Sequence, residues 1–450
     1  MMVSESLGLN EKGHLTCGGA DCVELAAKYG TPLYVFDEAL IRKTMREFKS
    51  SIEDYYDGNG RVLYASKAFS CKEMYRIAAS EGIGADVVSA GEIYTALSAG
   101  FPAADMFFHG NNKTPDEIKY AISNGVGRIV VDNMTELENI EYIAKELNVT
   151  VKVILRIKPG IDAHTHNYIR TGQIDSKFGF ALENGEAMEA AIKASGYGNL
   201  ELMGFHCHIG SQIFTVDPFR GAADVMIGFM ADFRDKTGIV VPELNLGGGF
   251  GVKYLETDGQ LPFGSFLKQV SVELKAKAGS LGYPVPRIYI EPGRAIVGPA
   301  GITLYTVGAV KSIKDVRTYV SIDGGMTDNP RYALYQSDYD IIIANKIFRS
   351  VGFIGDYYII IANKADRPKD FIATVAGKCC ESGDLIQEHA PMQRPEVGDI
   401  LAVMTTGAYN YSMASNYNRI PRPAAVMVNN GADRLIIKRE TFEDLVKNDI

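Results

Sequence analysis

Lys67, in the segment YASKAFS, is the residue best placed to do covalent chemistry. It follows an apolar run of strand length, and its neighbours Ala65, Ser66, Ala68 and Phe69 carry no charge. An amine that loses hydration in such surroundings is more often neutral and nucleophilic, as a Schiff-base lysine must be. Most lysines are instead exposed loop residues, so position alone leaves both interpretations open.

A run of glycines in LNLGGGFG, at Gly247, Gly248, Gly249 and Gly251, suits the binding of a phosphate group. Without Cβ atoms, backbone N–H groups can approach an anion closely, and phosphate sites in α/β barrels commonly follow strands seven and eight. GGGFGV lacks the sixth-place glycine of a dinucleotide fingerprint. The run therefore predicts a phosphate-bearing cofactor other than NAD, with a tight turn as the alternative.

The segment EPGR brings an acid and a guanidinium group to the end of another predicted strand. A carboxylate at that position, Glu291, would face a barrel pocket, and Arg294 could bind phosphate or carboxylate. The alternative is a surface ion pair, which contributes little.

The segment HCHIGSQ contains His206 and His208, which share a face if the strand is extended there. Such a pair could bind a metal ion, as could His164 and His166. We expect no metal, because neither pair has an Asp or Glu at a recognisable ligand spacing.

Three segments in the last third of the chain are polar or aromatic and do not suit regular strands. GKCCESGD contains adjacent cysteines, which seldom bond to each other and are usually buried structural thiols. GGMTDNPRYALYQ and GAYNYSMASNYNRIPRP are rich in Gly and Asn and predict loops that reach a site. The candidate residues in these segments are Cys379, Cys380, Glu381, Arg331, Tyr335 and Tyr409.

The elements that must position these residues are predicted from eight apolar runs, which alternate with helical patterns. Alternation of this kind predicts a parallel sheet, and eight strands can close into a barrel, although an open doubly wound sheet is the alternative. The barrel is favoured because polar residues follow nearly every run, on the face where barrel enzymes carry their chemistry. The runs cover 61–65, 85–89, 105–109, 128–132, 151–157, 201–206, 243–247 and 287–291. The polar residues are Lys67, Ser89, His109, Asp132, His208, Gly248 and Glu291.

The fold class predicted is therefore a (β/α)8 TIM-type barrel with a second, mostly antiparallel β domain. After about residue 297 the chain shows apolar runs of strand length without intervening helices. The predicted domains are residues 1–36, contributing to the β domain, residues 37–297 as the barrel, and residues 298–450 as the β domain. Residues 160–180 have no apolar periodicity and predict a long loop on the catalytic face.

Composition excludes several classes of function. Of the 450 residues, 46% are hydrophobic and 22% charged, which is typical of a globular protein. The net charge is -9 without any run of five basic residues, so neither a nucleic-acid nor an anionic membrane surface is expected. The chain lacks a signal-peptide pattern and an apolar span of about 20 residues. The six cysteines are scattered along the chain, which favours a location in the reducing cytoplasm.

The chain closely resembles the diaminopimelate decarboxylase family in six motifs. In order, these are YASKA, HCHIGSQ, LNLGGGFG, EPGR, CCESGD and GAYNYSMASNYNRIPRPA. Members of the family are pyridoxal-phosphate enzymes of the alanine-racemase-like fold. The resemblance implies a (β/α)8 barrel, a β domain and a homodimer whose two active sites each borrow residues from the partner. It also implies the last step of lysine biosynthesis, from meso-2,6-diaminopimelate to L-lysine and CO2.

The resemblance also assigns roles to single residues. Lys67 matches the lysine that forms a Schiff base with pyridoxal phosphate, His208 the histidine stacked on its ring, and Glu291 the acid bonded to its pyridine nitrogen. Cys380 matches the proton donor and Tyr409 a tyrosine touching cofactor and substrate. Phosphate-binding positions are matched by Ser211, Gly248, Gly249, Gly293 and Arg294. Substrate contacts are matched by Arg294, Arg331, Tyr335, Glu381 and Tyr409.

Two alternative functions stay open at this point. One is a related pyridoxal-phosphate decarboxylase of arginine, ornithine or carboxynorspermidine, although Arg331 in the ALY segment disfavours the first two. The other is a metal-dependent barrel hydrolase built on His206 and His208, or a cofactor-binding homologue without activity. Cys380 and Glu381 disfavour a homologue without activity.

Overall fold

The computed structural model describes residues 2–161, 176–346 and 369–450, together with the backbone of 351–354 and 357–360. Most of the loop expected at 160–180, including His164 and His166, lies outside the described residues. The chain divides into two compact units. The barrel unit comprises Lys43–Gly251 and Gln260–Ala295, and the β unit comprises Met1–Arg42, Val252–Gly259 and Ile296–Ile450. The division into 1–36, 37–297 and 298–450 stays a prediction about domains.

The N-terminal part of the β unit contains a small antiparallel sheet and one further strand. The sheet is formed by β1 (Leu7–Leu9), β2 (Leu15–Cys17) and β3 (Ala20–Asp21). Helix α1 (Cys22–Tyr29) begins where the Asp21 side chain accepts the N–H groups of Val23 and Glu24. Strand β4 (Leu33–Asp37) and helix α2 (Glu38–Tyr55) follow.

The barrel unit is built on eight parallel strands, as the alternating pattern predicts. Pairing between β8 and β9 closes the sheet, and a ninth short strand, β10 (Phe180–Ala181), extends beyond β9. The prediction of a closed eight-stranded barrel is confirmed. Its strands are β5 (Gly60–Ala65), β6 (Gly84–Val87), β7 (Met106–Phe108), β8 (Arg128–Val131), β9 (Val151–Lys158), β11 (Leu200–His206), β12 (Glu243–Asn245) and β13 (Arg287–Ile290).

Helices between the strands begin and end at residues suited to those positions. Ser89 accepts the N–H of Glu92, and Thr114 forms a reciprocal capping box with Glu117. Gly82 ends the first of the helices in the left-handed conformation, with φ of +72°. The helices are α3 (Lys72–Glu81), α4 (Ala90–Ser98), α5 (Pro115–Ser123), α6 (Met134–Glu146), α7 (Glu186–Gly196), α8 (Asp217–Thr237), α9 (Phe263–Ser280) and α10 (Arg294–Val297).

Apolar side chains fill the interior of the barrel below its polar end. The buried cluster there consists of Leu63, Phe107, Val130, Ile154 and Tyr289, which come from five different strands. Successive side chains of a strand point to opposite faces of the sheet. The positions in this buried layer therefore determine which residues at the end of each strand point into the barrel mouth.

The β unit contains a second sheet in which most neighbouring strands are antiparallel, as predicted. Its order is β20-β19-β15-β14-β4-β22-β23, and β16 and β21 pair alongside β14. β17 (Val351–Ile354) and β18 (Tyr357–Ile360) form a separate pair. The sheet strands are β14 (Gly301–Ile313), β15 (Arg317–Ile322), β16 (Ile341–Ile343), β19 (Phe371–Ala376), β20 (Leu385–Met392), β21 (Ile400–Val403), β22 (Ala424–Asn429) and β23 (Ala432–Ile437).

Two short α-helices lie in the described C-terminal half of the β unit, one between strands and one after the last strand. α11 (Arg331–Tyr335) lies within the segment that the sequence predicts as a loop, so that prediction is wrong for these five residues. α12 (Phe442–Val446) begins with a capping box at Thr441. Within the part of the chain that the structure describes, no helix combines the length and apolar character needed to cross a bilayer.

Candidate active site

Glu291 lies at the carboxyl end of β13, where side chains from the ends of three other strands, β7, β11 and β12, surround its buried carboxylate. Nδ2 of Asn245 donates a hydrogen bond to Oε1 at 2.6 Å. Nε2 of His109 lies 2.8 Å from Oε1, and Nε2 of His206 lies 3.2 Å from Oε2. Burial alone would raise the pKa of Glu291, but the two imidazoles outweigh it and hold that pKa well below its usual range. Glu291 is therefore an ionised carboxylate in a buried site.

His206 is the neutral partner in this cluster. Burial lowers its pKa to about 4, against the opposing effect of Glu291. Its Nδ1 has no hydrogen-bond partner among the described residues, so a second ring proton would be buried without an acceptor. The neutral ring therefore donates its single proton from Nε2 to Glu291.

The group of His109, His206 and Glu291 also has the composition of a metal site. One ligand atom from each of these residues lies within 4.8 Å of the others. This set differs from the pair of His206 and His208, which the spacing in the sequence offers as a metal site. β11 ends at His206, and Nδ1 of His208 instead accepts the N–H of Gly248 at 3.3 Å. The structure therefore does not bring His206 and His208 together in one ligand set.

Lys67 lies in a 3-10 turn, Ser66–Ala68, directly after β5. Its Nζ is 3.5 Å from Oδ2 of Asp86, whose side chain is fully buried, while 42% of the Lys67 side chain is exposed. Neither carboxylate oxygen of Asp86 has a hydrogen-bond partner among the described residues. The amine of Lys67 therefore lies beside a buried carboxyl group at the end of β5, and part of its side chain is open to solvent.

The predicted phosphate-binding residues lie on three loops that approach one another through glycines. A Cβ at Gly248 would lie 2.2 Å from the carbonyl oxygen of Glu291, and one at Gly249 would lie 2.5 Å from that of Gly210. Gly249 also has φ of +110°, a conformation that other residues rarely adopt. These positions require glycine because backbone packs directly against backbone.

The remaining members of this group follow the same three loops. Nη2 of Arg294 donates to Oγ of Ser211 at 3.2 Å, which links the loop after β13 with the loop after β11. A Cβ at Gly293 would lie 2.9 Å from the Cβ of Ala65. Burial, helped by the charges of Lys67 and Arg156, lowers the pKa of His208 well below its ordinary value, so its ring is neutral.

In the β unit, Arg331 is a buried cation whose surroundings are aromatic. Only 4% of the residue is exposed, and its guanidinium carbon lies 4.2 Å from the ring centre of Tyr254 and 5.7 Å from that of Tyr339. Nη2 donates to Oγ of Ser337 at 3.2 Å. Its Nε and Nη1 have no hydrogen-bond partner among the described residues. Two donors of a buried guanidinium are therefore available for a planar anion such as a carboxylate.

The two adjacent cysteines lie in the turn between β19 and β20 and differ in exposure. Cys379 is buried, and burial together with Asp384 raises the pKa of its thiol to about 12. Cys380 and Glu381 are exposed. The interpretation of a buried structural thiol therefore fits Cys379 and does not fit Cys380.

Hydrogen bonds donated by backbone N–H groups bring the three segments predicted to form the substrate site together within the β unit. The N–H of Met326 donates to Oδ1 of the Asp384 side chain at 2.6 Å, and that of Lys378 donates to the carbonyl of Gly324 at 3.0 Å. The N–H of Ser415 donates to the carbonyl of Thr327 at 2.8 Å. The segments that carry Arg331, Cys380 and Tyr409 are therefore joined. Tyr409 is part-buried with φ of +63°, and Tyr335, also part-buried, ends α11.

The sequence patterns did not assign roles to Asp86, Asn245 and Tyr254, which the structure places beside candidate residues. Asp86 and Asn245 lie within strands, and their positions are set by which residues of a strand point inward. In GADV the polar Asp86 interrupts a buried run, and this interruption is its signal in the sequence. The sequence predicts His109 only as one of the polar residues that follow strands.

Comparisons with known proteins agree on one family. Residues 38–298 match the profile of "Pyridoxal-dependent decarboxylase, pyridoxal binding domain". Diaminopimelate decarboxylase of Bacillus subtilis is 47% identical over 441 residues, which cover 98% of this chain and 96% of that protein.

Solved structures give the same result. The diaminopimelate decarboxylase of M. jannaschii in complex with L-lysine matches with a TM-score of 0.89 at 34% identity, over 100% of this chain and 99% of that one. The Helicobacter pylori enzyme complexed with L-lysine matches with a TM-score of 0.81 at 31% identity, over 94% and 98% of the two chains.

Proposed function

Since the chain belongs to the diaminopimelate decarboxylase family of pyridoxal-dependent decarboxylases, we propose that it converts meso-2,6-diaminopimelate to L-lysine and CO2. This is the last step of lysine biosynthesis. The observation that carries the proposal is the ionised Glu291 held by His109, His206 and Asn245 at the same end of the barrel as Lys67.

The residues of the barrel unit fit pyridoxal phosphate. A carboxylate has about four lone-pair positions, and three contacts to Glu291 leave one for a protonated pyridine nitrogen. Lys67 would bind the cofactor covalently through Nζ, and His208 would lie against its ring. The phosphate would be held by the loops that carry Ser211, Gly248, Gly249, Gly293 and Arg294, with Tyr409 as a further contact.

When bound, pyridoxal phosphate supplies an electron-poor ring that accepts the electron pair left by departing CO2. The negative charge of Glu291 would favour a proton on the ring nitrogen and so would strengthen that acceptor. Because His206 is neutral and Glu291 is ionised, the carboxylate keeps its charge through the physiological pH range.

The β unit supplies groups for the substrate. The two available donors of Arg331 suit the distal carboxylate of diaminopimelate, with Arg294 as a second candidate, and Glu381 suits its distal amine. Tyr335 and Tyr409 would complete the contacts. Substrates without a distal carboxylate, such as lysine and ornithine, would leave the buried Arg331 unpaired, and this disfavours them.

Cys380 would donate the proton that replaces CO2. Cys380 is exposed, and its Sγ would give its proton to the carbon that lost CO2. We further propose that the enzyme is a cytoplasmic homodimer in which Cys380 and Glu381 of one subunit complete the site of the other.

The decisive experiment supplies the purified protein with pyridoxal phosphate and meso-diaminopimelate and measures CO2 and L-lysine. Equal amounts of the two products are expected. Arginine, ornithine and carboxynorspermidine serve as competing substrates, and preferential turnover of any of them would assign the chain to the alternative decarboxylase.

A further inference from the structure

The turn that carries Cys380 is tied to a distant loop by one side chain. The backbone N–H of Cys380 donates to Oδ1 of Asn418 at 2.8 Å, although the two residues are 38 positions apart. The preceding N–H, that of Cys379, donates to Oδ2 of Asp384 at 2.6 Å. Two successive amides are therefore fixed by two different side chains. This determines the direction of the peptide planes on either side of Cys379.

Asn418 makes this contact from an unusual backbone conformation. Its φ and ψ are 53° and 23°, and the next residue, Arg419, has φ of 55°. The left-handed region is unfavourable for residues with a Cβ atom, and two in succession persist only where surrounding contacts determine them. Asn tolerates this region better than most residues, but glycine adopts it at no steric cost. An Asn side chain here is therefore better explained by its acceptor than by the backbone alone.

The contacts that hold this loop come from the C-terminal segment. Nδ2 of Asn416 donates to Oε2 of Glu440 at 2.6 Å and to the carbonyl of Ile420 at 3.0 Å. The guanidinium of Arg419 donates to the carbonyl of Leu445 and to Asp449, at 2.7 and 3.0 Å. These contacts do not involve Cys380, and they hold the loop from which Asn418 presents its Oδ1.

We propose that Asn418 is a positioning residue for proton delivery by Cys380. By holding the N–H of Cys380, Asn418 fixes the orientation of the Cα–Cβ bond and so the direction in which the thiol points. This inference rests on the proposed function, in which Cys380 is the proton donor. A misplaced donor loses rate steeply with distance, whereas substrate and cofactor binding do not depend on it.

The test compares two substitutions at Asn418 in the full-length holoenzyme. Asn418→Gly keeps the left-handed backbone but removes the acceptor, and we expect kcat to fall about 10- to 100-fold. KM should stay within about threefold, and the visible absorbance of the bound cofactor should be unchanged. Asn418→Asp keeps an acceptor oxygen in the same position and should restore kcat to within about threefold of the native enzyme.

A matched control separates the acceptor from the backbone. Asn430 has φ of 50° in an exposed turn, so Asn430→Gly removes the same side chain from the same kind of conformation. We expect native kcat from Asn430→Gly. The midpoint of thermal unfolding reports folding of each variant, and Asn418→Ser, whose side chain is too short to reach Cys380, replaces Asn418→Gly if that protein unfolds.

A double-mutant cycle with Cys380→Ala gives the final test. If Asn418 acts through Cys380, Asn418→Gly should change kcat by less than about twofold in the Cys380→Ala background. If the two substitutions instead lowered kcat by factors that multiply, the positioning role of Asn418 would be overturned and the proton-donor role of Cys380 would stand. A Cys380→Ala enzyme with native kcat would overturn both.

Discussion

Nε2 of His206 lies 3.2 Å from Oε2 of Glu291, and the two groups hold opposite protonation preferences in the same buried site. Burial keeps the imidazole neutral, with its pKa at about 4, while the carboxyl keeps a pKa well below its usual range. The pair therefore stays a neutral donor and an ionised acceptor over the physiological pH range. It also makes the stability of the folded protein sensitive to acid.

We expect His206→Asn to weaken the acid sensitivity of folding. Between pH 6.5 and pH 4 an unfolded chain protonates His206 while the folded chain does not, so stability falls as the pH drops through this window. Denaturant titrations at pH 7 and pH 5 measure the free energy of unfolding. The loss between these two pH values should be about 2 kcal/mol smaller in His206→Asn than in the native protein.

The native protein is the reference for this measurement. If His206→Asn lost as much stability between pH 7 and pH 5 as the native protein does, His206 would not be neutral in the folded state.

Glu291→Gln should retain the cofactor but lose most of the decarboxylation rate. The amide has nearly the same shape but carries no charge, so it cannot keep a proton on the ring nitrogen. We expect kcat to fall by at least about 100-fold, as is usual when one preorganised electrostatic group is removed. Stopped assays of CO2 release measure kcat, and the visible spectrum measures cofactor content.

Glu243→Gln provides a matched control for removing a buried carboxylate from the barrel. Glu243 pairs with Arg128 at 2.7 and 3.0 Å at the start of β12, away from the predicted site. Its loss should lower stability and leave kcat of the folded enzyme within about twofold. A Glu291→Gln enzyme of native activity would mean that the carboxylate has a structural role only.

How much of this site the sequence could predict depends on the kind of contact. Lys67 and Glu291 follow apolar strands, and the strand period alone places them at the catalytic end of the barrel. Asp86 lies inside a strand, and its place beside Lys67 follows from the register of β6 against β5, in which Asp86 pairs with Ala65. Asn418 contacts Cys380 through a backbone amide, a relationship that has no periodicity to detect. The five-residue helix at Arg331 is too short to show a helical pattern in the sequence.

Lys67→Ala and Lys67→Arg should both abolish decarboxylation and the visible absorbance of the bound cofactor. Neither side chain can form the covalent bond, and loss of a covalent catalyst costs more than about 1000-fold in rate. Lys67→Arg keeps a positive charge for Asp86, so it should fold normally. Lys72→Ala, at an exposed lysine five residues along, should have native activity. An intact Lys67→Ala protein that turns over substrate would exclude the Schiff-base role.

Arg331→Met should lower kcat/KM for meso-diaminopimelate by about 100-fold, because a buried guanidinium and carboxylate pair is lost. The ratio of kcat/KM between meso-diaminopimelate and lysine should fall by a similar factor. Arg317→Met removes a guanidinium that pairs with Glu388 at a part-exposed position of the same unit. This second variant should keep the native preference. If both variants kept the native preference for meso-diaminopimelate over lysine, another residue such as Arg294 would bind the distal carboxylate.

Mixing two defective variants tests whether the active sites are shared between subunits. Lys67→Ala damages the barrel unit, and Cys380→Ala damages the turn that we expect to enter the partner's site. After random reassociation half of the dimers are mixed, and one of the two sites in each contains both native residues. The mixture should therefore show about a quarter of native activity, although one parent variant is inactive and the other is slow.

The matched control mixes Lys67→Ala with Glu291→Gln. Both substitutions damage the barrel unit, so every site keeps a defect and no activity should return. Recovery equal to the mean of the two parents in the first mixture would mean that each site lies within one chain.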